Sequence, residues 1–500
     1  MQKDNNNNNN TSGDDDHSVD RATGDGNKYP IVNNNNKKAS TSAGEKLSPI
    51  LGEMETTPHT APFEMNEESS TPTADENRKK KRNCIVHVGS LILDTIIPYG
   101  GILSSSFNLA SATLGAGITS LPSAFNLSGI VMSILYIVLI SMATVYSMHL
   151  LAKVILKTGV RTYEEAARKL LGRGADYFLA ALVMFLCFGG SVAYIIVTGA
   201  LLTPVLTNPS SPAFLQTKSG IRLITSLIWL FFILPLVIMK RINSLRYCSA
   251  IGVLCILYFV LCVCIHSGRY VHHNGVAKDL TFVKTGNGAL DGLSLFMFSF
   301  ICQLNAFEIF HEMKRKTVFY FTISSTIGVT ICAVLYFLAG LFGYLEFGSK
   351  VTDSVLTLYD PVKDLMMAVA YIGIIFKICV AFALHLIPMR DAIYHCLSWD
   401  VNTLPYWKHG IIMTIPALLA LICGLFIPKV NTVLGLLGAF CGGTIGIILP
   451  PLFFMYSGGF SVKEVGIFTY CATYLILFFG VIAVVFGTVS TVSAAVKSSF

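Results

Sequence analysis

Residues 108–122 read NLASATLGAGITSLP, an apolar stretch that puts Gly115, Ala116 and Gly117 in the middle of a run long enough to cross a bilayer. Glycine in a helix interior costs about 1 kcal/mol relative to alanine, so two of them here predict a break. Unwound backbone cannot face lipid, because each unpaired N–H or C=O costs several kcal/mol there. The break must line a cavity enclosed by other helices. Close helix packing is the other use of such glycines, and a second break elsewhere in the chain favours binding over packing.

The rest of the chain supplies those helices. Of its 500 residues 53% are apolar and only 13% charged, with mean hydropathy +0.62, far from the usual ~25% charged of soluble domains. This is the composition of an integral membrane protein. Thirteen cysteines sit mostly inside apolar runs, without CxxC pairs or histidines at zinc spacing, so they read as small buried hydrophobes. The net charge of +7 is spread over loops and tail, which predicts no nucleic-acid partner and serves membrane orientation instead.

Residues 1–83 form an Asn-rich tail with few groups to bury, the composition of a disordered segment. Its RKKKR cluster at Arg78–Arg82 precedes the first span and predicts a cytoplasmic N-terminus. Residues 84–500 form the transmembrane domain, with eleven apolar runs at 103–125, 129–151, 177–206, 221–239, 247–267, 289–311, 318–345, 364–388, 409–427, 431–455 and 467–495. Each can cross ~30 Å of hydrocarbon. Eleven crossings place the C-terminus outside, and the inner segments then carry fifteen Lys and Arg against nine outside, in keeping with the positive-inside bias. Between spans two and three, TYEEAARKLLGRG (162–174) predicts an amphipathic helix with Tyr163, Ala167, Leu170 and Leu171 on one face.

The second break falls in span six. DGLSLFMFSFICQLNAFEIFHEM (291–313) has Ser299, Gln303 and Asn305 at mid-membrane. Spans one and six open two five-helix halves if the eleventh is an addition, and paired interrupted helices at matching positions point to an inverted-repeat secondary transporter with a midplane site. The half-helix restarting near Ile118 aims N–H groups and a positive dipole end into the gap, which suits a carboxylate. The end of the preceding half-helix offers carbonyls, with Asn108, Ser111 and Thr113 nearby, which suits an ammonium group or a small cation. One break thus matches both poles of an α-amino acid.

Several ionisable residues stand where charge is expensive. Glu308 and Glu312 lie one turn apart on span six, and Lys377 and His385 two turns apart on span eight. Glu308 is the expected partner of Lys377. The pair is read either as functional, with Lys377 mimicking a bound sodium or Glu308 selecting a basic substrate, or as a structural buried ion pair. Glu312 is expected to pair with Lys314 or Arg315, Arg390 to anchor an inner gate, and Asp291 to cap its helix. His385 is a candidate titrating group or a hydrogen-bonded structural histidine. Trp229 and Trp399 are expected as interface anchors.

These motifs resemble the amino acid/auxin permease family. NLASATLGAGITSLP resembles its first-helix motif, KRINSLRYCSAIGV (240–253) its loop between spans four and five, and FSFICQLNAFEIFHEM (298–313) its sixth helix. GYLEFG (343–348) and IPMRDAI (387–393) are similar to further family motifs, in the same order, and the whole looks most like the trypanosomatid amino acid permeases. The resemblance implies an all-α, LeuT-type 5+5 inverted repeat with eleven transmembrane helices, and proton- or sodium-driven uptake of a basic or neutral amino acid by alternating access, without other cofactors. By the same resemblance, Asn108, Ser111, Gly115, Ala116, Gly117 and Ile118 would hold the substrate backbone. Phe300, Gln303 and Asn305 would set side-chain specificity, and Tyr194 would close over the substrate. Glu308 departs from the family pattern and favours a basic substrate. Plasma membrane is the expected address, with vacuole or lysosome the alternative. A channel lacks its filter repeat here and an enzyme its cluster of reactive groups, so neither is expected. A transporter-like sensor signalling through the N-terminal tail is the alternative function, and oligomeric state is not legible.

Overall fold

The predicted break at Gly115 is present. In the computed structural model, which describes residues 100–209, 211–239, 243–399 and 404–499, helix α1 (Ile102–Thr113) stops and α2 (Gly117–Ser128) restarts after an interruption of three residues. Each half has 12 residues and spans about 18 Å, so only together do they cross the bilayer. The Asn-rich tail with RKKKR, together with Lys240, Arg241 and the side chain of Arg246, lies outside the described residues.

The remaining helices follow the apolar runs. They are α3 (Ile130–Thr158), the short α4 (Tyr163–Leu171), α5 (Ala175–Leu206), α6 (Lys218–Ile228) joined through a π-turn to α7 (Leu234–Ile238), and α8 (Asn243–Asn274). Then come α9 (Asn287–Ser299), α10 (Ala306–Glu312), α11 (Val318–Phe347), α12 (Leu365–Leu397) and α13 (Tyr406–Phe426). Helix α14 (Val430–Leu436) continues through a π-helical stretch (Leu437–Ile448) into α15 (Leu449–Tyr456), and α16 (Val462–Val465) precedes α17 (Ile467–Ser499). Among the described residues, ten segments are long and apolar enough to cross a membrane. With the broken α1–α2 this makes eleven crossings. Helix α12 runs nine residues past Pro388, where the apolar run ends; a transmembrane helix tolerates proline when neighbours satisfy the freed carbonyl.

The crossings sort into two packing groups. Crossings one, two, six and seven (α1–α2, α3, α9–α10, α11) pack on one another, as do three, four, eight and nine (α5, α6–α7, α12, α13). Crossings one to four each pack on their counterpart five crossings later, which has the opposite direction. This is the inverted repeat expected from the paired breaks. Helix α5 is the most buried of the ten crossings, whereas α3 leaves Val131, Leu135, Val138 and Met142 exposed as a helical stripe suited to lipid.

Loops fix the ends. Thr162 caps α4, accepting from Glu165 N–H at 3.1 Å, and α4 buries Tyr163, Ala166 and Ala167, while Leu170 and Leu171 are only half-buried. The Tyr163 hydroxyl donates 2.7 Å to the Ile445 carbonyl inside the π-helical stretch. Burial pushes the Glu164 carboxyl above the ordinary carboxylate range. On the opposite face, in the loop after α11, the Asp353 carboxylate accepts from Val430 N–H at 3.1 Å and Asn431 N–H at 2.9 Å. Asn431 in turn donates 2.7 Å to the Ser123 hydroxyl of α2. One loop thereby ties the start of α14 to the first crossing.

Candidate functional site

The two helix breaks meet. A Cβ on Gly117 would stand 2.5 Å from Ser299 Oγ and 3.3 Å from Ser299 Cα, so the start of α2 touches the end of α9 only because residue 117 has no side chain. Helix α1 ends on Thr113 and α9 on Ser299, and the last carbonyls of a helix have no partner within it. Tyr336 of α11 supplies one for both. Its hydroxyl lies 2.9 Å from the Thr113 carbonyl and 2.8 Å from the Ser299 carbonyl, a single proton shared between two acceptors. Its ring meets Phe300 edge-on at 5.1 Å.

A second tyrosine stands at the opposite pole. Tyr194 of α5 places its hydroxyl 2.7 Å from where a Gly115 Cβ would be. Behind it, His385 of α12 packs edge-on against the Tyr194 ring at 5.8 Å and abuts Gly190. The Nε2 of His385 is buried with no hydrogen-bond partner. The site therefore presents the positive start of α2 and the negative ends of α1 and α9 to one point, each pole already touched by a tyrosine hydroxyl.

Lys377 corrects an expectation. Its Nζ donates 3.1 Å to the carbonyl of Ser111 in the last turn of α1, and its stem runs past Gly252 of α8, where a Cβ would come within 2.6 Å. Among the described residues no carboxylate pairs with it. Glu308 is exposed on α10 instead, and its charged neighbours are Glu312, Asp391 and Arg390. The reason is placement: α12 presents Lys377 to the C-terminal end of α1, where the helix dipole favours a cation, and α10 turns Glu308 away from it.

The structure thus brings together Ser111, Gly115, Ala116, Gly117, Tyr194, Phe300, Lys377 and His385. Ile118 is buried at the start of α2, and Asn108 is half-buried one turn below Ser111. Gln303 is turned toward Gly446 of the π-helical stretch, with Oε1 accepting from Cys302 N–H at 3.0 Å. Asn305 closes the 3-10 turn that restarts span six. Tyr336 had no distinguishing signal, being one aromatic among many in an apolar run. Only the packing of α11 against both breaks selects it.

Residues 99–493 match the profile of the transmembrane amino acid transporter protein family. The chain belongs to this family. Curated relatives include the vacuolar amino acid transporter 5 of Schizosaccharomyces pombe, 27% identical over 73% of this chain and 86% of that protein. Vacuolar amino acid transporter 6 of Saccharomyces cerevisiae is 27% identical over 59% of this chain and 66% of its own length. In fold, the chain is similar to the Eremococcus coleocola manganese transporter, with a TM-score of 0.51 and 14% identity, covering 78% of this chain and 85% of that one. It is a multi-pass membrane transporter with the LeuT-type fold, and not an enzyme.

Several flanking residues of the transporter differ from expectation. Asp291 does not cap α9, which begins four residues earlier, but accepts from the Ser490 hydroxyl of α17 at 2.8 Å. Trp229 is buried in the π-turn of crossing four rather than at an interface, because the turn rotates it inward. Trp399 is exposed just beyond the end of α12. Glu312 forms no ion pair among the described residues; Arg315 reaches the Tyr320 hydroxyl at 2.5 Å instead. Arg390, largely buried, binds Asp391 at 2.8 Å and lines a small cleft with His409 and Met413 at the end of crossing eight.

Proposed function

We propose that this transporter carries a basic L-amino acid by proton-coupled alternating access across an internal, vacuolar-type membrane. The observation that carries the reading is the meeting of the two breaks, which brings the N–H end of α2 and the carbonyl ends of α1 and α9 to one place. Asn108, Ser111, Gly115, Ala116, Gly117 and Ile118 take the substrate backbone, Tyr194 closes over its carboxylate, and Phe300, Gln303 and Asn305 border its side chain. The two packing groups supply the moving parts: crossings one, two, six and seven rock against three, four, eight and nine.

Lys377 supports proton rather than sodium coupling, because its ammonium already occupies a carbonyl at the end of α1. A basic substrate is supported by Glu308, unpaired with Lys377 and one turn beyond the break, where the carboxylates of Glu312 and Asp391 outnumber the Arg390 cation among its charged neighbours. We assign proton handling to His385, whose ring meets that of Tyr194 at 5.8 Å. The names of the yeast relatives support the vacuolar address over the plasma membrane, and the N-terminus is assigned to the cytoplasm by the charge bias.

Uptake by purified protein in liposomes tests this reading, with labelled L-arginine, L-lysine and L-leucine and with proton and sodium gradients imposed separately. Proton-driven uptake of the basic pair, abolished in Glu308→Gln, is the expected result. Leucine uptake unaffected by Glu308→Gln assigns that carboxylate to structure, sodium dependence overturns the role given to Lys377, and binding without flux marks a sensor.

A further inference from the structure

The carbonyls that suit a substrate ammonium are not idle. The terminal carbonyls of α1 and α9 come from the two inverted halves, and Tyr336, from crossing seven, reaches both at 2.9 and 2.8 Å. Its side chain is fully buried and its ring is held edge-on by Phe300, so the hydroxyl cannot leave without moving a ring that borders the substrate side chain.

We propose that Tyr336 is a specificity-determining residue of the substrate site: its hydroxyl closes the carbonyl pair at Thr113 and Ser299, and only a cationic α-amino group displaces it. This inference rests on the transport reading above. The physical reason is a comparison of donors. A phenol offers one neutral proton to two acceptors. An ammonium offers three protons and a full charge, and charge-assisted hydrogen bonds are roughly twice as strong as neutral ones. An α-ammonium therefore gains by the exchange. An α-hydroxy acid of the same shape brings one neutral proton, no better than the one it must remove, and is rejected although its carboxylate and side chain fit. The tyrosine thus turns a pair of helix ends, which accept any donor, into a test for positive charge.

The experiment measures binding and liposome uptake of L-lysine, L-arginine and L-leucine, and of the α-hydroxy acid counterparts of lysine and leucine, by the full-length chain and by Tyr336→Phe. Phenylalanine keeps the ring against Phe300 and removes only the hydroxyl. The variant is expected to bind its amino acid substrate roughly three- to tenfold tighter, the worth of one net hydrogen bond. It should also gain measurable binding of the matching α-hydroxy acid, and transport with a lower KM and a lower maximal rate, because release slows. Weaker amino acid binding in Tyr336→Phe would make the hydroxyl a direct ligand and overturn the proposal, as would continued exclusion of the hydroxy acid. If that variant does not fold, the parent chain provides the second measurement: it should bind L-lysine and exclude the α-hydroxy acid counterpart of lysine, and parent binding of that hydroxy acid refutes the displacement. Absence of amino acid binding to the parent chain overturns the transport reading itself, whereas parent binding without the Tyr336→Phe effects overturns only this assignment.

Discussion

Replacing Lys377 with methionine separates two accounts of its buried charge that predict opposite signs. Lys377 is 3% exposed, and its ammonium donates to a carbonyl at 3.1 Å and has no carboxylate partner among the described residues. Removing an ion from water costs several kcal/mol even after relaxation. A hydrogen bond from a charged group returns about 1.5–3 kcal/mol, and the negative end of α1 adds up to about 2 kcal/mol. The balance leaves Lys377 neutral to mildly destabilising for the fold. Methionine has similar length, packs past Gly252 in the same channel and carries no charge. Lys377→Met should therefore keep or raise the Tm of the purified protein, by up to about 5 °C, while proton-driven uptake in liposomes falls. Had Lys377 been half of a buried ion pair, the same change would cost about 3–5 kcal/mol. A marked fall in Tm with coupling intact would refute the reasoning.

Three further outcomes are open to measurement. Gly117→Ala forces a Cβ onto Ser299, an overpacking of about 1–3 kcal/mol set against ~1 kcal/mol of gained helix propensity. Uptake should drop, and adding Ser299→Ala should restore part of it, whereas strictly additive losses in this double-mutant cycle would show that the two breaks do not touch during transport. Asp353→Ala leaves the Val430 and Asn431 N–H groups without their acceptor and should lower stability by about 0.5–2 kcal/mol in thermal unfolding, with Asp353→Asn falling between the two. Burial raises the Glu164 pKa, so folding favours its protonated form: its contribution is intact below the ordinary carboxylate pKa of about 4.3 and is lost as pH rises through the elevated value. Glu164→Gln should therefore raise Tm at neutral pH, with the gain shrinking toward pH 4; an equal gain at every pH would exclude that titration as the cause.

The sequence by itself determined the class, the crossings and the breaks, because each depends on local chemistry. Apolar runs of bilayer length need no partner to be recognised. The glycines at 115 and 117 and the polar residues at 299, 303 and 305 mark places where a helix cannot continue against lipid. The paired breaks, five crossings apart, carried the inverted repeat with them. The apolar run ending at Pro388 left open only where that helix ends, since neighbouring helices satisfy what proline leaves open. What the tertiary structure decided was which side chain meets which, a matter of helix rotation and tilt that periodicity leaves undetermined. Lys377 could be placed on span eight from the sequence, yet its turn toward Ser111 rather than Glu308 depends on how α12 packs against α1 and α8. Asp291 and Trp229 likewise face neighbours that only packing supplies. Tyr336 is the extreme case: nothing in its own span distinguishes it, and its place across two helix ends exists only because α11 lies against both breaks, where buried carbonyls at the ends of broken helices must find a donor.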